Sequence, residues 1–406
     1  MKREVSNLND GSISMDVNEK QTEIRNKMRI LMLNYEYPPL GGGASPVTKS
    51  LAKRLGKFGH QVDIVTMGFK NLAKIQKESE NVTVYRVSCI RKSKEICHSH
   101  EMLSFLPSAL AISSGLIKKN RYDILHSHFI IPTGIISYLL NKIYSIPYAV
   151  TIHGSDVPGY NPDRFNIMHK IVSPLWKKIV SNASLIISPS NYLAKMVKLR
   201  YPYAKVIVIP YGIDYDKFNH KRKREKRILL TSRLFRRKGM QYFLDALKKA
   251  DTSWKTSIAG EGPYKKRLVE IAEESKLDVN FLGWVTGSKF KELLERSEIY
   301  IFPSSHDNCP VALQEAMASG CAIIASRYSG TGEIIDGAGI KVDPKDTEDF
   351  ANKLGMLIKH PKLRRTLQRK SREKTELEYD WKRILKRYTK AFQSVCLQEG
   401  GAHAGG

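Results

Sequence analysis

Short β-branched apolar runs recur along this chain with helix-patterned segments between them, and the rhythm plays twice. The first series is Arg29 to Asn34, Val62 to Met67, Val82 to Val87, Asp123 to His128, Tyr148 to His153, Leu185 to Ser188 and Val206 to Pro210. The second is Ile228 to Ser232, Thr256 to Ala259, Val279 to Gly283, Ile299 to Pro303, Ala322 to Ser326 and Ile340 to Val342. Runs that are apolar at nearly every position belong to strands buried on both faces, and strands separated by helices pair in parallel. The pattern predicts an α/β chain of two doubly wound, Rossmann-like domains, with a ligand cleft between their strand carboxyl ends. The expected limits are a disordered extension over 1–27, an N-terminal domain over 28–214 and a basic linker over 215–227. A C-terminal domain over 228–378, a returning helix over 379–395 and a flexible tail over 396–406 complete the chain.

Charge bounds the partners. Lys and Arg number 67 against 40 Asp and Glu, giving +27, a surplus that concentrates polyanions near the surface without specifying a fold. It is clustered: Lys217 to Arg227 holds seven cations and Lys353 to Lys374 nine, each cluster open to a solvated-surface reading or a polyanion contact. No helix-turn-helix or aromatic-interleaved basic array is visible, so specific nucleic-acid binding is not expected. Five cysteines lie scattered without CxxC spacing, which suggests neither a disulfide framework nor a zinc site and fits a reducing cytoplasm. The longest apolar stretch, Phe129 to Leu140, is broken by Pro132, Thr133, Gly134 and Ser137, so no membrane span or signal peptide is expected.

Three runs carry chemistry. Gly41-Gly42-Gly43 follows the first strand, with Ser45 as expected N-cap and Pro46 at the first helical position. It can bring amides and a helix dipole to an anion, or be a tight turn alone. Arg233 and Lys238 sit beyond the second series' first strand, where a guanidinium fork and a mobile ammonium could clamp a diphosphate; ordinary loop cations are the other reading. In Ser304 to Gly320, Asp307 lies in a loop and Glu315 eight residues later lies in a helix opened by Pro310. Two carboxylates so placed can accept hydrogen bonds from sugar hydroxyls.

That last run resembles the E-x7-E signature of retaining GT-B glycosyltransferases of family 4, with Asp307 standing at the first acidic position. The other landmarks follow in order over about residues 28 to 395: Tyr37 to Gly42, the HG element Ile152 to Asp156, Ser188-Pro189-Ser190, and Ile209 to Asp214. Then come the R-x4-K pair Arg233 and Lys238, Gly260 to Pro263, Phe281-Leu282-Gly283, Gly332-Glu333-Ile334, and Trp381 opening the last helix. The resemblance implies a GT-B fold and transfer of a sugar from a UDP- or GDP-sugar to a glycan or lipid-linked hydroxyl, with no cofactor and no metal. It implies that Arg233 and Lys238 hold the departing diphosphate and that Glu315 binds the ribose. Asp307 and the amides of Asn308 and Cys309 would hold the sugar, and His153 would contact it near the anomeric centre. Gly42, Gly43 and Gly212 would line the donor site, and Trp284 with Val285 would receive the base.

With no obvious nucleophile in the sequence, we expect front-side attack, the diphosphate oxygen taking the acceptor proton. Asp214-Tyr215-Asp216 has metal-binding spacing but is expected to be an ordinary interdomain turn, and Cys309 is expected to be filler rather than nucleophile. His126 and His128 are read as projecting to opposite sides of their strand, and so as a poor metal pair. Met102 to Ile117, flanked by Arg91, Lys92, Lys94, Lys118, Lys119 and Arg121, is either a core-facing helix or one lying on an anionic membrane face, which would make the protein peripheral at the cytoplasmic side. An epimerase or phosphorylase on the same architecture, or a non-catalytic polyanion-binding relative, are the rival functions.

Overall fold

The computed structural model describes residues 27–160 and 162–402; the expected extension lies outside these apart from Lys27. Among the described residues fourteen strands appear, the first eight being β1 (Arg29–Leu33), β2 (Gln61–Met67), β3 (Ile75–Ser79), β4 (Val82–Val87), β5 (Ile124–His128), β6 (Tyr148–Thr151), β7 (Leu185–Ser188) and β8 (Val206–Val208). They form one sheet in the order β3-β4-β2-β1-β5-β6-β7-β8. The rest, β9 (Glu225–Thr231), β10 (Lys255–Ala259), β11 (Val279–Gly283), β12 (Ser297–Phe302), β13 (Ala322–Ser326) and β14 (Ile340–Val342), form a second in the order β11-β10-β9-β12-β13-β14. Ile30, Leu31, Met32 and Leu33 are fully buried, as are Ile228, Leu229 and Leu230, so both opening strands are covered on each face. This is the doubly wound α/β architecture that the apolar runs predict.

The chain resolves into two compact units. One comprises the described residues of 1–128, 132–149 and 390–406, and the other those of 129–131 and 150–389. In the second sheet the chain steps outward from β9 through β10 to β11, then returns to the other side of β9 with β12. At such a reversal the loops leaving the two central strands diverge and leave a crevice at the carboxyl edge. Thr231 Oγ1 and Tyr300 Oη, 2.6 Å apart, stitch β9 to β12 inside the core.

Several details differ from expectation. The first helix runs Ala44–Lys57 with Gly43 as its N-cap, so Ser45 and Pro46 sit inside the first turn instead of opening it. The polar strand β3 was not foreseen; it pairs antiparallel with β4, and Glu78 anchors it to Lys49 and Lys53 at 2.8 and 3.4 Å. His126 and His128 share one face of β5, because side chains alternate and residues two apart point the same way; their ring centroids lie 4.5 Å apart. Among the described residues no group of three or more potential metal ligands is gathered. The last helix, Trp381–Ala402, continues past residue 395, where the tail was expected to begin. Among the described residues no helix is long and apolar enough to cross a membrane.

Much of the clustered positive charge is spent internally. Arg222 pairs with Glu292 and Glu295, each at 3.1 Å. Arg224 donates to the carbonyl of Ser297 at 2.7 Å and to that of Ser319. From the second cluster, Arg364 meets Glu298 at 3.0 Å. Arg372, nearly buried, donates to the carbonyls of Tyr215, Phe218 and Ala318 at 2.7, 3.3 and 2.6 Å and lies 4.8 Å from the Tyr215 ring centre. A fork serving three carbonyls cannot be replaced by an apolar side chain without stranding them. We expect Arg372→Met to lower unfolding free energy by about 3 kcal/mol, read as a lower urea midpoint; an unchanged midpoint would show the carbonyls to be satisfied otherwise.

Candidate active site

The loop after β9 is shaped by Leu234, which is fully buried and exchanges backbone hydrogen bonds with the following strand's loop: its N–H donates to Glu261 O at 2.9 Å and its carbonyl accepts from Tyr264 at 3.0 Å. Pinning Leu234 throws its neighbours outward. Arg233 is exposed, with its guanidinium 5.6 Å from the Phe235 ring centre. A single 3-10 turn, Arg236–Lys238, then turns Lys238 back inward to 9% exposure.

There Lys238 meets Asp307 from the loop after β12, its Nζ donating to both carboxylate oxygens at 2.7 Å. Burial alone would raise the Asp307 carboxyl, but the Lys238 charge and its hydrogen bonds outweigh it and hold the group below the ordinary carboxylate range. The Asp307 backbone is braced in turn by Ser329, whose hydroxyl donates to its carbonyl at 2.9 Å.

Eight residues on, Glu315 occupies the helix Val311–Ala318 under opposite conditions. No hydrogen bond or ion pair meets its carboxylate among the described residues, and burial pushes it up to about 7. A half-buried carboxylate left without donors is suited to receive them from a ligand.

His153 follows β6 in the same unit. Asp156 shapes its turn by accepting the amides of Ile130, His153 and Gly154 at 2.9, 3.0 and 2.9 Å. Gly154, at φ +110°, admits Asn308: a Cβ there would lie 2.3 Å from the Asn308 amide nitrogen, which donates to the His153 carbonyl at 3.1 Å. The His153 ring has Nδ1 2.7 Å from the Tyr211 hydroxyl, and burial pulls its pKa down to about 3, so the imidazole is neutral. Cys309 is buried and accepts the Tyr211 amide at 3.4 Å. Burial pushes its thiol up to about 12, which keeps it a protonated filler.

The remaining expected residues are dispersed. Gly212 lies against Trp381, where a Cβ would come within 2.4 Å of the indole. Trp284, just past edge strand β11, is 66% exposed, and Val285 follows it half-buried. Gly42 and Gly43 have open space where a Cβ would stand, but the Gly42 amide already donates to the Glu36 carboxylate at 3.0 Å. An internal anion thus holds part of the loop expected to bind an external one. Asp214, of the D-x-D spacing, pairs with Lys217 at 2.8 Å.

Five neighbours of these residues were given no role from the sequence. Tyr211, Ser329 and Gln314 carry no local signal. Glu333 caps the helix Asn191–Arg200, taking the amides of Asn191 and Tyr192 at 2.8 and 2.5 Å. Asp156 was legible in principle, since an acid two residues beyond a strand-end glycine favours such turns.

Comparison with known proteins decides the family. Residues 213–374 match the model for glycosyl transferases group 1, and residues 41–217 match that for glycosyltransferase family 4. The chain belongs to the family 4 glycosyltransferases. An uncharacterized glycosyltransferase of Methanocaldococcus jannaschii is 27% identical over 402 residues, covering 92% of this chain and 100% of that one. Sucrose-phosphate synthase from Thermosynechococcus elongatus superposes with a TM-score of 0.77 at 18% identity, over 91% of this chain and 99% of that one. An Anabaena protein solved in complex with UDP-glucose gives 0.70 at 18% identity, over 90% of this chain and 100% of that one. The fold of this transferase is GT-B.

Glu315 yields a stability test. A carboxyl raised by burial from 4.5 to about 7 binds a proton more tightly folded than unfolded. The unliganded fold therefore loses stability as pH rises through that interval, by about 3 kcal/mol in all. Glu315→Gln removes the cost. Thermal denaturation should show the variant more stable than the parent at pH 8, with the difference shrinking toward pH 5; equal differences at both would refute the assignment.

Proposed function

We propose that this glycosyltransferase moves a sugar, with retention, from a nucleotide-diphosphate donor to a hydroxyl of a glycan or lipid-linked acceptor. The observation that carries the reading is the pairing of environments on one loop and helix: Asp307 ion-paired to Lys238, and Glu315 buried without donors. Lys238 and Arg233 face a diphosphate and neutralise it as it leaves, while Glu315 accepts the ribose hydroxyls. Asp307, with the amides of Asn308 and Cys309, holds the sugar, and His153 contacts it near the anomeric carbon. Gly212 flanks the donor, and Trp284 with Val285 takes the base. A UDP-sugar is favoured by the likeness to the Anabaena protein solved with UDP-glucose.

The acceptor hydroxyl attacks the anomeric carbon on the side from which the diphosphate departs. The bond from that carbon to the phosphate oxygen breaks, the bond to the acceptor oxygen forms, and the acceptor proton passes to the diphosphate oxygen. The cations lower the barrier by stabilising charge on the leaving group, the service a metal gives elsewhere. The reaction so described is independent of added divalent metal. For a lipid-linked acceptor, support comes from the helix Ser99–Lys119, which leaves Leu103 64% and Ile112 44% exposed. Lys118 and Lys119 are exposed at its end and Arg121 just after it, and exposed apolar side chains close to cations suit an anionic bilayer.

Incubation with a panel of nucleotide sugars, with proton NMR of the product's anomeric configuration, tests this. Lys238→Ala should lower kcat by roughly 10²- to 10³-fold, and chelators should leave the parent rate unchanged. Transfer with inversion, or a Lys238→Ala variant that folds and transfers at the parent rate, overturns the reading. Co-sedimentation with vesicles should rise with anionic lipid and fall with salt; indifference to both removes the membrane from it.

A further inference from the structure

The helix Asn191–Arg200 opens with more acceptors than its start requires. Ser190, its N-cap, takes the Leu193 amide at 3.2 Å, and Asn191 is exposed, so water can serve its amide. Yet Glu333, 142 residues away in sequence, places both carboxylate oxygens there. Its Oε2 accepts the Asn191 backbone amide at 2.8 Å and the Asn191 side-chain amide at 3.2 Å, and its Oε1 accepts the Tyr192 amide at 2.5 Å. The negative charge also suits the positive end of that helix. An acid brought from so far fixes its own segment as firmly as it caps the other.

That segment is the helix Ser329–Ile334, of six residues, too short to be held by its own hydrogen bonds. Its first residue, Ser329, has a left-handed backbone at φ +54°, which a residue other than glycine keeps only where its surroundings enforce it. Here they do: the Ser329 hydroxyl donates to the Asp307 carbonyl at 2.9 Å and accepts the Asp307 amide at 3.3 Å. Gly330 follows so close to the same loop that a Cβ would come within 1.6 Å of the Asn308 carbonyl oxygen. The short helix is thus a strut, with one end on the backbone of Asp307 and the other on the helix Asn191–Arg200, all within one compact unit. The residues on either side of Asp307 are tied elsewhere: Tyr160 Oη donates to the His306 carbonyl at 2.6 Å, and Asn308 Nδ2 to the His153 carbonyl at 3.1 Å. Among the described residues the Asp307 backbone is hydrogen-bonded by Ser329 alone, so the place of its carboxylate beside Lys238 depends on where the strut stands.

We infer that Glu333 is a positioning residue for sugar transfer: by anchoring the helix Ser329–Ile334 to the helix Asn191–Arg200 it fixes, through Ser329, the place of Asp307 and of the sugar that Asp307 holds. The inference rests on the reading that Asp307 faces the donor sugar. It adds that a third acid serves the site without touching the donor, its effect carried by the strut.

Amide hydrogen exchange of the full chain, with no substrate present, separates a strut from a plain helix cap. Glu333→Ala and Ser190→Ala each remove acceptors from the start of the helix Asn191–Arg200, so exchange over 191–193 should rise in both. Only Glu333→Ala should also raise exchange over 303–310, by roughly 10-fold, and lower kcat/KM for transfer by about 10-fold, the worth of one hydrogen bond to a charged group. Glu333→Gln, which keeps one acceptor oxygen, should fall between parent and Glu333→Ala. Ser190→Ala should leave both the 303–310 exchange and kcat/KM at the parent values. Exchange over 303–310 that stays at the parent level in the Glu333 variants overturns the inference, as does an equal rise in Ser190→Ala, or a rise there with kcat/KM unmoved. If Glu333→Ala does not fold, Glu333→Gln against Ser190→Ala decides by the same comparison. If the exchange pattern is as expected while the parent transfers no sugar, the strut stands and the proposed reaction fails.

Discussion

The reversal of strand order at β9 is the constraint on which the site rests. Because β10 and β12 flank β9 in the second sheet, the loops at residues 232–239 and 303–310 leave neighbouring strands at the same edge. Sixty-nine residues of sequence separate Lys238 from Asp307, yet the two meet at 2.7 Å. The buried Thr231 to Tyr300 contact one layer below fixes the two strands in register. Without that adjacency the ammonium would be a surface cation and the carboxylate a surface acid, each solvated and each ordinary.

The two acids on the run from Ser304 to Gly320 show how the fold separates identical chemistry. Asp307 is half-buried with a cation and held ionised; Glu315 is half-buried without one and pushed up to about 7. A buried ion pair contributes little net stability, since desolvation offsets most of the attraction, and an unpaired buried carboxylate is a plain cost. Neither arrangement is explained by folding alone. On the proposed reading a ligand supplies what is missing: phosphoryl oxygens to share the Lys238 ammonium, and hydroxyl donors for Glu315.

What the sequence made legible was whatever is written in contiguous residues. Parallel strands are apolar at consecutive positions, so thirteen of the strand segments could be read from the chain, and the R-x4-K and acid-x7-acid spacings could be read in the same way. β3 was not legible, because Ile75-Gln76-Lys77-Glu78-Ser79 has no apolar run; its pairing to β4 and the ion pairs of Glu78 hold it. Tyr211 was invisible as the partner of His153 because fifty-eight residues separate them, and no local pattern encodes such a meeting. The amide of Gly42 was legible as a donor, but not its capture by Glu36, which depends on how the loop folds back on itself. The two histidines of β5 show the converse, a local relation that was present in the sequence and was read with the wrong periodicity.

The positive charge, which from composition alone invited a polyanionic partner, has a nearer use. The helix Val311–Ala318 carries Glu315, and its carboxyl end presents carbonyls that no further turn satisfies. Arg372 donates to Ala318 O and Arg224 to Ser319 O, one cation from each basic cluster. Arg372 reaches from the same point to Tyr215 and Phe218 in the basic linker, so linker and helix end are fastened by one guanidinium. Cations at a helix carboxyl terminus also complement its dipole. The clusters that look, in one dimension, like surfaces awaiting an anion are in part the clamps that fix the helix on which the donor-binding carboxylate is proposed to stand. Any external polyanion would compete for arginines already committed to carbonyl oxygens. Among the cations that remain exposed are Lys118 and Lys119 at the end of the helix Ser99–Lys119 and Arg121 just beyond it.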